Sequence, residues 1–305
     1  MKSHHAKLEA RHFHPRFWPT WTVFGALWLV AWLPHRVRAL LADGAAWLRE
    51  RVDPKRTRII LTNLALCYPH LPDGERRAIA TAHLRISTRA LLDTSVLMFR
   101  SPHVLERMVD VVGSERLDTA GGGRFVLVSP HSPALEHCGL RLTMDHPVMT
   151  MIRRHKNPVS DWIVTRMRTR YGAVLFLHDA PLLGLVRTLR QAYLFYYLPD
   201  EDQGHPAAVF APFLGVPKAT VPVLGRLAKA ADALIVPTRS ALDLESGRYR
   251  LTLGIPQRWL GNGEPANEAR ELNALLEPLI EADRAQYLWT QKIFRTRPPG
   301  VPPHY

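Results

Sequence analysis

Two cysteines, Cys67 and Cys138, are all that the 305 residues contain. A disulfide framework is excluded, and a reducing compartment fits. Neither cysteine belongs to a Cys-x-x-Cys pair, which argues against a structural zinc. Acid is scarce as well: 27 Asp+Glu against 40 Lys+Arg leave a formal net charge of +13. That excess suits an anionic partner, whether nucleic acid, an acidic membrane surface, a phosphorylated substrate or an acidic carrier protein. The chain lacks finger spacings and an aromatic RNA-binding signature, and its basic residues are spread out rather than gathered in a tail. Both absences weigh against nucleic acid. There is no internal repeat and no low-complexity segment.

A long apolar run is also wanting. Residues 17–33, FWPTWTVFGALWLVAWL, carry no charge and four tryptophans, but they are at the short end of the roughly 20 residues that span a bilayer. Lys2, Lys7, Arg11 and Arg16 precede them, and Arg36 and Arg38 follow. The basic lead is long and no Ala-x-Ala-like site follows, so the run is not read as a signal peptide. Tryptophans suit an interface. We expect a retained anchor over residues 1–35, either a tilted span or an interfacial helix, with a buried core helix as the plainer reading.

Helical periodicity predicts helices over 36–51, 54–66 and 75–99, with Asp53-Pro54 as a cap followed by a first-turn proline. From about residue 108 the pattern changes. Short apolar runs at 125–129, 148–152, 173–177, 193–198, 233–237 and 249–253 alternate with helical stretches, as in an α/β sheet packed by helices. Residues 36–305 then form one domain. The proline-rich tail from Arg295 should be extended.

Four segments can carry chemistry. After the strand FVLVS comes Pro130-His131-Ser132-Pro133-Ala134-Leu135-Glu136. Inside one helix, His131 and Glu136 would diverge by about 140°. With His131 in the preceding loop, its ring can fold back onto Glu136, with Ser132 as N-cap and Pro133 in the first turn. A carboxylate on one imidazole nitrogen leaves the other free as a general base. The plainer reading is a surface histidine and a capping glutamate. Arg153-Arg154-His155-Lys156-Asn157-Pro158 follows the next strand, where α/β sheets bind ligands. Arg153 or Arg154 can hold a phosphate or an oxyanion. Asp200-Glu201-Asp202 follows a later strand, at no recognisable metal spacing; its default role is to hold neighbouring arginines. Residues 210–220 are read as structural, with Thr220 capping the next helix.

Nucleophiles are poor. Ser129 lacks a Gly-x-Ser-x-Gly elbow, Ser132 adjoins the histidine, and Cys138 reads as core packing. Direct transfer without a covalent enzyme intermediate is expected.

In their joint order these segments resemble the bacterial lipid A late acyltransferases of the lysophospholipid acyltransferase superfamily. The resemblance rests on Asn63-Leu-Ala-Leu-Cys-Tyr-Pro69, on His131-x4-Glu136 and on Arg153, Asn157 and Pro158 of the arginine loop. It extends to Asp200-Glu201-Asp202, Ala211-Pro-Phe-Leu-Gly215 with Ala219-Thr220, and Gln286-Tyr-Leu-Trp-Thr290 through Pro298. Pro130, Pro133-Ala134-Leu135 and Gln291 depart from the family's usual residues. The resemblance implies a glycerol-3-phosphate-acyltransferase-like mixed sheet flanked by helices. It implies His131 and Glu136 as catalytic residues, with Arg153, Arg154, Asn157, Asp200 and Asp202 toward substrate. It implies no metal and no cofactor beyond an acyl-thioester co-substrate. The donor would be an acyl carrier protein, the acceptor a hydroxyl of an anionic lipid A precursor, and the place the cytoplasmic face of the bacterial inner membrane. Alternatives are another glycolipid or aminolipid acceptor, a hydrolase using water, and a catalytically inert lipid-binding homologue.

Overall fold

A computed structural model describes residues 3–117 and 122–305; Lys2 of the basic lead lies outside them. Helices come first: α1 (Trp18–Trp32), α2 (His35–Val52), α3 (Pro54–Cys67), α4 (Asp73–Phe99) and α5 (Pro102–Met108). The α/β part then runs β1 (Val109–Val112), β2 (Phe125–Val128), α6 (Leu135–Asp145), β3 (Val148–Ile152), α7 (Pro158–Arg168), β4 (Val174–Leu177), α8 (Leu182–Leu189) and β5 (Leu194–Tyr197). It closes with β6 (Val209–Phe213), β7 (Val216–Thr220), α9 (Leu224–Ala231), β8 (Leu234–Leu242), β9 (Tyr249–Leu253) and α10 (Pro265–Glu281).

The expected helices and strands are present, and Asp53 caps α3 through the Arg56 N–H. Seven strands form one mixed sheet in the order β1-β9-β8-β2-β5-β3-β4. The strands from β8 to β4 run parallel; β9 turns back against β8, and β1 pairs in parallel with β9. Alternation along the strands divides the core. Val126 and Val128 of β2 with Phe195 and Tyr197 of β5 face one apolar layer, built with α3, α8, α9 and α10. Phe125 and Leu127 with Leu194 and Tyr196 face the other, against α4, α5 and α6. A strand covered on both faces must be apolar throughout, and β2 is buried at all four positions. Each such side chain contributes about 1.5–3 kcal/mol by leaving water.

This arrangement brings the loops after β2, β5, β3 and β4 to one edge of the sheet, their carboxyl ends. The register pairs Val128 with Tyr197, so the residues just beyond them, including His131 and Asp200, emerge side by side.

Residues 210–220 are not a helix lead-in but the separate β6–β7 hairpin. Its two-residue turn has Leu214 at φ 49° and Gly215 at φ 78°, the left-handed pair that matches hairpin twist. The Leu214 N–H donates to Glu277 at 2.7 Å. Thr220 does not cap α9, which starts at Leu224; its hydroxyl donates to Asn273 at 3.1 Å.

The N-terminal run is shorter than expected as a helix. α1 covers 15 residues, and no helix among the described residues is long and apolar enough to cross a membrane. α1 packs on α4, and Trp21 meets Trp162 of α7 at 6.1 Å between ring centroids. Trp18, Trp28, Leu29 and Trp32 of α1 remain exposed, as do Leu40, Leu41, Trp47, Leu48 and Val52 of α2. At 100° per residue, each set shares one face. Arg38 of α2 is anchored inside: its guanidinium donates to Asp93 at 2.7 Å, Arg89 donates to the same carboxylate at 2.7 Å, and the Tyr249 hydroxyl adds a third bond at 3.1 Å.

Candidate active site

A pocket of about 310 Å³ opens at the carboxyl edge of the sheet. Its inner wall is apolar, with Leu135, Leu140, Val148, Ala173 and Leu175. Gly139 leaves room there: a Cβ at this position would approach the Tyr196 ring at 3.3 Å. His131, Glu136, Arg153, His155, Arg168, His178 and Glu201 supply the polar lining.

His131 sits in the loop between β2 and α6, as expected, but its carboxylate is not Glu136. The imidazole Nδ1 bonds Asp200 Oδ1 at 2.7 Å, and the His131 backbone N–H donates to Asp200 Oδ2 at 2.9 Å. Both oxygens of one buried carboxylate therefore fix one residue. Its carbonyl is fixed as well, accepting from the Leu288 N–H at 3.0 Å. With Nδ1 engaged, Nε2 is the nitrogen left for substrate.

Glu136 points elsewhere because α6 begins late. Ser132 does not cap the helix; its hydroxyl accepts from the Ala134 N–H at 3.1 Å, closing a tight turn, and helical geometry starts only at Leu135. Glu136 then meets α7, where Arg168 binds it through two nitrogens, Nε at 3.0 Å. A two-pronged guanidinium–carboxylate pair is a strong, directional contact.

The charges follow. Burial alone would depress the His131 imidazolium, but Asp200, with smaller help from Glu201 and Glu136, outweighs it and raises the ring above its ordinary 6.5. Burial likewise opposes ionisation of Asp200 and Glu136. His131 and Lys218 overcome it for Asp200, Arg168 for Glu136, and both carboxyls lie below the usual carboxylate range. Asp200 and Glu136 are thus both carboxylates at neutral pH, each with its own cationic or cation-forming partner.

The other expected residues divide. Arg153 lines the pocket and lies 4.0 Å from Glu201. Arg154 is exposed and does not line it. Asn157 does not line the pocket, and its side chain makes local bonds. Its Oδ1 accepts from the Val159 and Ser160 N–H groups as the cap of α7, and its Nδ2 donates to Thr20 of α1 at 2.8 Å. Asp202 is also structural: it accepts from the Thr296 hydroxyl at 2.8 Å and the Gly204 N–H at 3.1 Å. The acidic loop thus holds a histidine and the C-terminal segment more than neighbouring arginines. Arg168 and His178 were missed, and His155 stood only as one cation of the arginine loop. A basic residue on a helix gives no signal in the sequence; only the fold brings Arg168 of α7 to Glu136 of α6. No side chain among the described residues offers a metal-binding cluster.

Residues 5–296 match the bacterial lipid A biosynthesis acyltransferases, and the chain belongs to that family. Its likeness to individual members is nearly end to end. It is 29% identical to a lipid A biosynthesis acyltransferase of Haemophilus influenzae, over 95% of this chain and 91% of that protein. It is 30% identical to the lipid A biosynthesis lauroyltransferase of Escherichia coli, over 98% of each. The palmitoleoyltransferase of the same organism is also 30% identical, over 96% of each.

Proposed function

We propose that this acyltransferase moves a fatty acyl chain from the thioester of an acyl carrier protein to a hydroxyl of a lipid A precursor, with His131 as general base. The observation that carries the reading is His131 at the mouth of an apolar pocket, its ring held through Nδ1 and its backbone through N–H by the one carboxylate of Asp200. The acceptor hydroxyl approaches Nε2 and gives up its proton. Its oxygen attacks the thioester carbonyl, a C–O bond forms, and the tetrahedral oxyanion is stabilised by Arg153 or by the first-turn amides of α6. The C–S bond then breaks, and the leaving sulfur takes the proton back from His131. Asp200 keeps the ring in place and balances its transient charge. Glu136 and Arg168 serve as a fixed wall beside the base rather than as its orienting acid. The apolar inner wall suits the acyl chain, and Arg153, His155 and His178 at the rim suit a phosphorylated acceptor.

The exposed apolar faces of α1 and α2, flanked by Arg36, Arg51 and Arg16, support docking on an anionic membrane surface. Interfacial helices present such a face to the acyl boundary and keep basic residues at the headgroups. We place the protein on the cytoplasmic face of the inner membrane on that basis, where both the carrier protein and the precursor are reached.

His131→Ala tests the core of the proposal. Acyl transfer in detergent should fall by at least a hundredfold while the protein stays folded; near wild-type turnover ends it. Arg153→Ala should reduce transfer more than Arg154→Ala, and equal effects would remove Arg153 from its role.

A further inference from the structure

The loop after β3 carries Arg153 and His155 to the rim of the pocket. Residues 153–157 belong to neither β3 nor α7, so no ladder or helix of their own fixes them. The start of the chain does. β4 is the last strand of the seven-stranded sheet, and an edge strand leaves backbone groups open to pairing. Ser3 and His4 take that place. The His4 N–H donates to the Leu175 carbonyl at 2.7 Å, and the Leu175 N–H donates to the Ser3 hydroxyl at 3.1 Å. Leu175 is fully buried and lines the inner wall of the pocket. The segment therefore covers the sheet edge beside the substrate.

From there the His4 ring meets α7. Its Nε2 donates to Asp161 Oδ2 at 3.1 Å, joining two buried side chains 157 residues apart. The other oxygen of that carboxylate, Oδ1, accepts from the His155 N–H at 2.9 Å. A second tie lies at the end of the loop. Asn157 donates to Thr20 of α1 at 2.8 Å, and Phe17 shares a buried cluster with Val159 and Ile163 of α7.

Resting on the reading of Arg153 and His155 as groups for a phosphorylated acceptor, we propose that His4 is a positioning residue: through Asp161 it holds the loop of residues 153–157 where those side chains meet the acceptor. His4 does not line the pocket. It acts on the backbone of His155 through one buried carboxylate, which has one oxygen on the loop and the other on the N-terminal segment. Without the imidazole, Asp161 is free to turn, and ordering the loop then opposes acceptor binding. His131 and Asp200 are joined by bonds that do not pass through this loop. The effect therefore falls on the acceptor and spares the base.

The test is His4→Ala in the full-length protein, assayed in detergent with acyl-carrier-protein thioester as donor and a phosphorylated lipid A precursor as acceptor. Acceptor KM should rise about fivefold, the contribution of one hydrogen bond, while kcat and donor KM stay within about twofold. His4→Gln keeps an amide that can donate to Asp161, and its acceptor KM should stay within about twofold of wild type. His4→Ala/Asp161→Ala should bind acceptor no worse than Asp161→Ala, because the two residues act as one unit. A merely structural histidine would lower the melting temperature without separating the two KM values. An unmoved acceptor KM in His4→Ala, an equal rise in His4→Gln, or additive effects in the double variant would overturn the inference. Arg153→Ala keeps the two levels apart. If it leaves acceptor KM unchanged, the reading of the rim fails, and this inference with it. If it raises acceptor KM and His4→Ala does not, His4 alone loses its role.

Discussion

Asp200→Asn is the sharpest perturbation of the site, because it exchanges one oxygen for an NH2 group and removes one charge. Asp200 accepts from the His131 backbone at 2.9 Å and engages Nδ1 at 2.7 Å. An asparagine has one acceptor oxygen, so one of the two bonds must be lost or reversed. If its amide nitrogen donates to Nδ1, the ring's proton moves to Nε2 and the base faces the substrate in the wrong tautomer. A hydrogen bond to a charged group contributes about 1.5–3 kcal/mol. At roughly 1.4 kcal/mol per tenfold, losing that stabilisation of the imidazolium lowers kcat by about one to two decades, and tautomer loss deepens it toward three. Apparent KM values should change by no more than a few fold, since Asp200 is wholly buried and does not line the pocket.

The pH dependence carries an independent sign. Asp200 raises His131 above 6.5, so removing the carboxylate should move the acid limb of the rate to lower pH while the plateau falls. Stability follows from the same pair. His131, raised on folding, stabilises fully below about 6.5 and loses that contribution as pH climbs through its folded value. Asp200, lowered from 3.8, stabilises above that value and loses the contribution as pH falls through its folded one. The variant's deficit in thermal unfolding should therefore be greatest between about pH 4 and 6.5. Stopped assays for kcat and a pH series of melts decide it. A variant that keeps a third or more of wild-type kcat, or whose acid limb does not move, would refute Asp200 as the orienting acid.

Glu136→Gln should lower both melting temperature and transfer by leaving Arg168 without its carboxylate. Glu136→Gln/Arg168→Met should recover part of the melting temperature, because an unmatched charge costs more than an absent pair; a double variant no more stable than the single contradicts the pairing. Asp93→Ala strands Arg38 and Arg89 in the interior and should cost about 3–5 kcal/mol, seen as a fall in denaturation midpoint at constant slope; a loss below ~1 kcal/mol would show that the cluster is not carrying α2. Replacing Trp28, Trp32 and Trp47 with serine should weaken co-sedimentation with anionic vesicles at least tenfold and leave the fold unchanged by circular dichroism. Unchanged sedimentation would mean that these faces are not the membrane surface.

Much of the fold was legible, and the reason is periodicity. β2 and β5 are apolar at every position because both faces are covered, and such runs stand out between helical stretches. The β6–β7 hairpin did not stand out. Pro212 and Pro217 interrupt its strands, and Leu214 occupies a turn position where glycine or asparagine is the usual signal. At the site, the loop position of His131 followed from the strand before it. Its partner did not: Glu136 is five residues away in sequence and Asp200 is 69. Only the pairing of β2 with β5 makes the distant carboxylate the near one. The Asn-Pro step suits a ligand loop or a helix cap alike; Asn157 caps α7 through two backbone amides, and its contact with Thr20 of α1, 137 residues away, left no trace in the sequence.

The bond from the Leu288 amide to the His131 carbonyl has a consequence in time. A nascent chain exposes its histidine early, yet the segment that pins the loop from behind leaves the ribosome about 157 residues later. Until then Asp200, made earlier, can hold the ring, but the carbonyl side of the histidine loop lacks its anchor. The last stretch of synthesis completes the seat that the earlier strands began.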